Sequence, residues 1–255
     1  MREKVVVITG ASGGIGAALA RLVGAGGGLP VLAARREREL REVAAESGAD
    51  ALTVVADVRR RDDVRRVLDA ALARFRRVDV WVNNAGRGIT RPVSELSDED
   101  FDEMMSVNVK SALYGMQAVL PHFQERGRGH IVNVSSMLGR VPYVPTRSAY
   151  CAAKHALNAL TACLRLELAG KYPEIHVTTV LPGVVATDFG LNSLCGGPDS
   201  RTLPLAQPPE EVAEVITDAI ERPRADVYTR PGLQDRVVAY YAAADMAAAE
   251  AGLAR

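Results

Sequence analysis

Short β-branched runs alternate along this chain with longer segments of helical period, and no other feature constrains the fold as much. The runs are Val5–Thr9, Val31–Ala34, Leu52–Val55, Val78–Val82, His130–Val134, Ile175–Leu181 and a weaker one, Asp226–Thr229. Between them, segments such as DDVRRVLDAALARF and EDFDEMMSVNVKSALYGMQAVLPHF repeat their apolar residues at three and four. Strands and helices in that order build an α/β fold, a parallel sheet with helices on both faces. Because both faces are covered, the strands can be almost wholly apolar, as VVVI and VDVWV are. Pro30 stands at the start of its strand, where a missing N–H is tolerated. With no internal repeat and no compositional boundary, residues 1–255 read as a single domain. Residues 188–209, rich in Gly, Pro and Ser, read as a mobile substrate loop within it. The tail from Leu233 reads as one alanine-rich helix that frays at its end.

Composition removes several classes of function. Lys plus Arg and Asp plus Glu number 31 each, so the formal charge is zero and no electrostatic footprint for nucleic acid or an acidic membrane is present. Three cysteines without CxxC spacing give neither a disulfide framework nor a zinc site, and fit a reducing compartment. The four histidines, His122, His130, His155 and His176, lie in no metal-ligand spacing, so no metal is expected. No GxSxG elbow supports a serine hydrolase. The apolar run near the N-terminus is too short for a signal core or a membrane span, so a soluble cytoplasmic protein is expected.

The first strand runs into TGASGGIGAALARL. Glycines 10, 14 and 16 allow a tight turn, and the helix that follows offers its positive end to a phosphate. The spacing is not GxGxxG, and helix capping or plain chain reversal would use similar residues. At the end of the second strand, VLAARRERE carries Ala34 where an NAD-binding chain would have an acid, followed by Arg35. A guanidinium there suits the extra phosphate of NADP, which puts NADP(H) ahead of NAD(H), unless Arg35 and Arg36 merely open a charged helix. Asp57, after the third strand, is placed to meet an adenine amino group or to cap a helix. Further on, Tyr150 and Lys154 share one helical stripe in SAYCAAKHAL. They are either a solvated pair or a phenol whose ionisation an ammonium favours.

Together TGASGGIG (9–16), Asp57-Val58, NNAG (83–86), Asn108 in SVNVKS, NVSS (133–136), Tyr150-x-x-x-Lys154 and PGVVAT (182–187) resemble the short-chain dehydrogenase/reductase family in its compact form, over almost the whole chain. The resemblance implies a Rossmann-like, doubly wound, seven-stranded parallel sheet and a nicotinamide cofactor. It implies an active site of Asn108, Ser136, Tyr150 and Lys154, with Ser135 the competing serine. Tyr150 would exchange the proton, Ser136 would bond the substrate oxygen, and Lys154 would lower the tyrosine pKa and hold the nicotinamide ribose. Asn108 would open its helix and hold a water.

By the same resemblance the cofactor would contact Gly10, Ser12, Gly13, Gly14, Ile15, Gly16, Arg35, Asp57, Val58, Asn84, Ala85, Gly86, Pro182, Gly183, Val185 and Thr187, besides Tyr150 and Lys154. Met137, Leu138, Tyr143, Val144 and the 188–209 loop would form the substrate pocket. Those residues are mostly apolar and no inward charge is evident, which predicts a neutral, fairly hydrophobic ketone, aldehyde or secondary alcohol. Arg87 and Arg147 read as rim contacts, so a 3-oxoacyl thioester on an anionic carrier stays open. An NAD-linked alcohol or hydroxysteroid dehydrogenase and an idle dinucleotide sensor are the other readings. The family's habit of pairing its long central helices, here residues 98–124 and 148–170, predicts a homotetramer, else a homodimer.

Overall fold

A computed structural model describes residues 1–48 and 50–253. Seven parallel strands form one sheet in the order β3-β2-β1-β4-β5-β6-β7. They are β1 (Val5–Thr9), β2 (Leu29–Ala34), β3 (Leu52–Val55), β4 (Val80–Asn83), β5 (Gly129–Val134), β6 (Ile175–Leu181) and β7 (Asp226–Tyr228). The order reverses at β1, which pairs with β2 on one side and β4 on the other. The parallel sheet is as expected from the alternation, and its doubly wound, seven-stranded form is as the resemblance implied.

Alternate side chains of the central strands enter opposite cores, as the two-residue period of a strand requires. Val6 and Ile8 pack with Leu19 and Val23 of α1 (Gly14–Ala25), Leu40 of α2 (Glu37–Glu46) and Ile216 of α7 (Pro209–Glu221). Val5 and Val7 pack on the other face with Leu68 of α3 (Arg61–Phe75), Phe123 of α5 (Ser111–Arg126) and Leu164 of α6 (Ser148–Ala169). Trp81 is fully buried there, and its Nε1 donates to Asn83 Oδ1 at 2.8 Å. Asn83 in turn donates to Asn133 Oδ1 (2.8 Å), and Asn133 to Thr161 Oγ1 (2.9 Å), tying β4, β5 and α6 together. No described helix is long and apolar enough to cross a membrane.

Several boundaries differ from the sequence reading. The second strand starts earlier, at Leu29, with Pro30 its second residue. The fourth begins at Val80, because the Asp79 carboxylate accepts from Val5 N (2.9 Å) and Val78 N donates to His122 Nε2 (3.1 Å). The tail is two helices, α8 (Leu233–Tyr241) and α9 (Met246–Leu253), and Asp245 Oδ1 accepts from Ala248 N to start the second afresh. Residues 188–209 are pinned at several points: Leu194 N donates to Gly88 O, Gly190 N to Ser200 Oγ, and Gln207 Nε2 to Thr229 Oγ1. A short 3₁₀ turn, Ser200–Thr202, lies within them.

Candidate active site

The strand order reverses between β2 and β4, and in open α/β sheets ligands bind outside the carboxyl ends of strands at such a point. A cavity of about 830 Å³ lies there, lined by residues that follow β1 through β6. At one end is the glycine-rich turn. Gly10 (φ +68°) and Gly14 (φ +54°) occupy left-handed backbone that favours glycine. The N-terminus of α1 has no side-chain cap and no acid in its first turn, so its N–H groups and positive end face the cavity. A dinucleotide pyrophosphate fits that cradle.

Beyond the turn, Ala34 is apolar and buried while Arg35 and Arg36 line the cavity. Arg36 folds over the turn, its Nη2 donating to Ser12 O and Oγ, each at 3.1 Å. The sequence reading singled out Arg35 alone; the RR pair in VLAARRERE was the signal for the second guanidinium. Asp57 lines the cavity as expected, but both its oxygens accept from Arg59, at 2.6 Å from Nη2. That bond holds the Asp57 carboxyl below its usual range. Its capacity for an adenine amino group is thus shared with the Arg59 guanidinium. Arg59 also reaches Glu103 at 3.1 Å, closing this side of the cavity.

At the other end, β5 delivers Ser135 and Ser136, and α6 delivers Tyr150 and Lys154. Ser135 Oγ donates to Lys154 O (3.4 Å), leaving Ser136 beside the Tyr150 hydroxyl. Ser136 Oγ also accepts from Leu138 N at 3.1 Å, which fixes its direction. Lys154 is buried, donates to Val134 O at 2.9 Å, and lies 5.6 Å from the centre of the Tyr150 ring. Burial lowers the ammonium to about 8. Burial also dominates at Tyr150 and pushes its phenol above the ordinary value; the groups that oppose this are the Ser136 hydroxyl and Arg147. The net shift is thus upward, not the lowering expected from a neighbouring ammonium, because desolvation of the phenolate outweighs the groups that oppose it. The phenol therefore carries its proton through neutral pH.

Asn108 sits where α4 (Asp98–Met105) passes into α5 through a π turn, Ser106–Lys110. Its Nδ2 donates to Met104 O (3.1 Å) and Arg87 O (2.9 Å), so the side chain takes over backbone bonding and widens the helix. A Cβ on Gly86 would lie 2.9 Å from Asn108 Oδ1 and 3.6 Å from Lys154 Nζ, so both groups converge on one glycine.

A profile of the short chain dehydrogenase family matches residues 4–193. The chain belongs to that family. It is 36% identical to the oxidoreductase YxnA of Bacillus subtilis, over 94% of this chain and 68% of that one. A short-chain dehydrogenase/reductase of Burkholderia phymatum, solved in complex with NAD, superposes with a TM-score of 0.86 at 28% identity, covering 94% of this chain and 93% of that one. An alcohol dehydrogenase from the archaeon Thermococcus sibiricus, complexed with 5-hydroxy-NADP, gives 0.78 at 30% identity, covering 91% and 98%.

In this short-chain dehydrogenase the cavity gathers most of the sequence-assigned residues: Gly10, Ser12, Gly13, Gly14, Ile15, Arg35, Asp57, Val58, Asn84, Ala85, Gly86, Ser136, Leu138, Tyr143, Val144, Tyr150, Lys154, Pro182, Gly183, Val185 and Thr187. Three lie behind its wall. Asn108 is buried under Arg87 and Gly86. Gly16 is buried because a Cβ there would stand 2.5 Å from Gly10 O. Met137 is only 1% exposed and packs with Val141 and Val237, so its assignment to the substrate pocket is corrected. Phe189 lines the pocket instead, its ring 5.5 Å from that of Tyr150. Arg147, read as a rim contact, lines the cavity half-buried, which corrects the picture of a pocket without inward charge. Among the described residues no cluster of three or more His, Cys, Asp or Glu side chains could hold a metal ion.

Proposed function

We propose that this oxidoreductase is an NADP(H)-dependent dehydrogenase/reductase that reduces a ketone or aldehyde, or oxidises a secondary alcohol, with Tyr150 as general acid and base. The observation that carries the reading is one cavity with a neutral buried phenol beside Ser136 at one end and Arg35 with Arg36 at the other. The cofactor, when bound, supplies a hydride for the carbonyl carbon. Tyr150 donates its hydroxyl proton to the carbonyl oxygen, or takes one from an alcohol in reverse. The Ser136 O–H donates to the same oxygen as negative charge grows on it. Lys154, charged below about pH 8, favours the phenolate that remains, and Asn108 positions a water for reprotonation.

For the nucleotide, Ala34 removes the acid that would repel a 2′-phosphate, and Arg35 and Arg36 supply donors for it. Self-association as a tetramer, or else a dimer, through α4–α5 and α6 belongs to the same reading; Leu166 on α6 is 78% exposed. Turnover of a carbonyl and alcohol panel with NADPH and with NADH tests the cofactor assignment. NADPH is expected to be preferred, and Arg35→Ala to raise its KM about tenfold while leaving that of NADH nearly unchanged. Equal use of both cofactors, with Arg35→Ala silent, would establish NAD(H) dependence instead.

A further inference from the structure

Five arginines line the cavity: Arg35, Arg36, Arg59, Arg87 and Arg147. Arg59 and Arg87 reach Glu103 at 3.1 Å and 3.6 Å, and Arg36 is spread over Ser12. Arg147 differs. Its Nη1 donates to two neutral acceptors, Ile89 O at 3.1 Å and Ser193 Oγ at 2.6 Å. Among the described residues its Nη2 and Nε have no acceptor, and the charged or ionisable neighbours it feels are Tyr150 and Cys151, not a carboxylate. A half-buried guanidinium left without a counter-charge is costly, and such charges are ordinarily paired.

A second observation points to the same place. Thr90 Oγ1 is buried, lines the cavity and has no hydrogen-bond partner. It and Arg147 Nη2 each lie 3.2 Å from the point where a Cβ on Gly197 would stand, a point 2.6 Å from Gly190 O, so the two groups approach each other beside packed loop backbone. Gly88 lets the guanidinium pack closely: a Cβ there would be 2.6 Å from Ser193 Oγ, 2.7 Å from Arg147 Nη1 and 2.9 Å from Phe189 Cε1. Phe189 is the ring that packs on Tyr150. Arg147 is the N-cap residue of α6, three residues before Tyr150, and both line the cavity.

We infer that Arg147 and Thr90 form a carboxylate subsite, and that the physiological substrate is a short oxo- or hydroxy-carboxylic acid. A single guanidinium with one hydroxyl balances a monoanion with two coplanar oxygens better than a phosphate dianion. Arg147, Thr90 and Tyr150 line the same cavity, so the acid group and the reacting carbonyl belong to one compact substrate. The inference rests on the oxidoreductase reading above and narrows its substrate.

Matched probes test it: 2-, 3- and 4-oxopentanoate, each against its methyl ester, reduced with NADPH by wild type, Arg147→Gln and Arg147→Lys. Wild type is expected to favour at least one acid over its ester by tenfold or more in kcat/KM. Arg147→Gln should collapse that acid-to-ester ratio at least tenfold, and Arg147→Lys should restore part of it. Pentanoate should also raise the melting temperature of the NADPH-loaded wild type but not of Arg147→Gln, and pentanamide should act on neither. Esters turned over as well as acids by wild type, or an unchanged ratio in Arg147→Gln, would overturn the carboxylate subsite while leaving the oxidoreductase standing. If neither acids, esters nor simple ketones react with either cofactor, the oxidoreductase reading fails. The melting shift then decides the subsite alone: its presence supports it and its absence overturns it.

Discussion

Tyr150 and Lys154 are neighbours on one helical stripe, and burial moves their pKa values in opposite directions, each toward the uncharged form. Burial keeps the Tyr150 phenol protonated and lowers the Lys154 ammonium to about 8. The working form for carbonyl reduction, neutral phenol and charged lysine, therefore exists below about pH 8. The kcat/KM for a carbonyl substrate with NADPH should be level through neutrality and fall above about pH 8, as Lys154 loses its proton and the phenolate loses its stabilising charge. A reductive rate that climbs steadily from pH 8 to 10 would contradict this assignment. The i, i+4 spacing was legible in the sequence; the sign of the tyrosine shift was not, because desolvation depends on what covers the ring. Arg147 repeats the lesson. Its number places it near Tyr150, but only the folded loops carrying Gly88, Thr90 and Gly197 decide that it turns inward without a carboxylate partner.

At the scale of elements, the glycine-rich turn and the π turn carry the site. Gly16 lies inside the first turns of α1, where alanine would ordinarily gain about 1 kcal/mol over glycine. Close packing opposes that gain, since a Cβ would stand 2.5 Å from Gly10 O and 3.0 Å from Ala11 Cα, both backbone atoms. Overpacking of this kind costs roughly 1–3 kcal/mol, so packing wins. Gly16→Ala should lower the urea midpoint and weaken NADPH binding; a stabilised variant would show that helix propensity prevails. The sequence marked Gly16 as a phosphate contact, and its actual place behind the turn follows from the closeness of α1 to β1. Asn108 was visible as a poor helix former, and the π turn is its local consequence. Met137 misled because its neighbours in sequence, Ser136 and Leu138, face the cavity while the 3₁₀ turn at 137–139 rotates Met137 into the core.

Across the whole molecule, the alternation of apolar strands and periodic helices was sufficient for layer order, since a parallel sheet covered on both faces has few alternatives. The place of the cavity follows from the strand order, which reverses at β1 so that the loops after β1 and β4 diverge, and which the alternation alone does not give. What the alternation could not convey is which loop side chains from distant segments meet over that crevice. Arg59 with Glu103 and Arg147 with Ser193 are pairs set by tertiary approach rather than by local pattern. One cavity thus joins a nucleotide end and a proton-donating end, and the proposed mechanism turns on Tyr150 exchanging the proton during hydride transfer.

The most direct test is the rate of NADPH consumption by Tyr150→Phe with the best carbonyl found for the wild type, with NADPH affinity measured alongside. Loss of a general acid is worth about 10²–10⁴ in rate. If Tyr150 exchanges the proton, kcat falls at least about a hundredfold with NADPH still bound to within a few-fold, whereas activity retained within a few-fold of wild type would rule that role out.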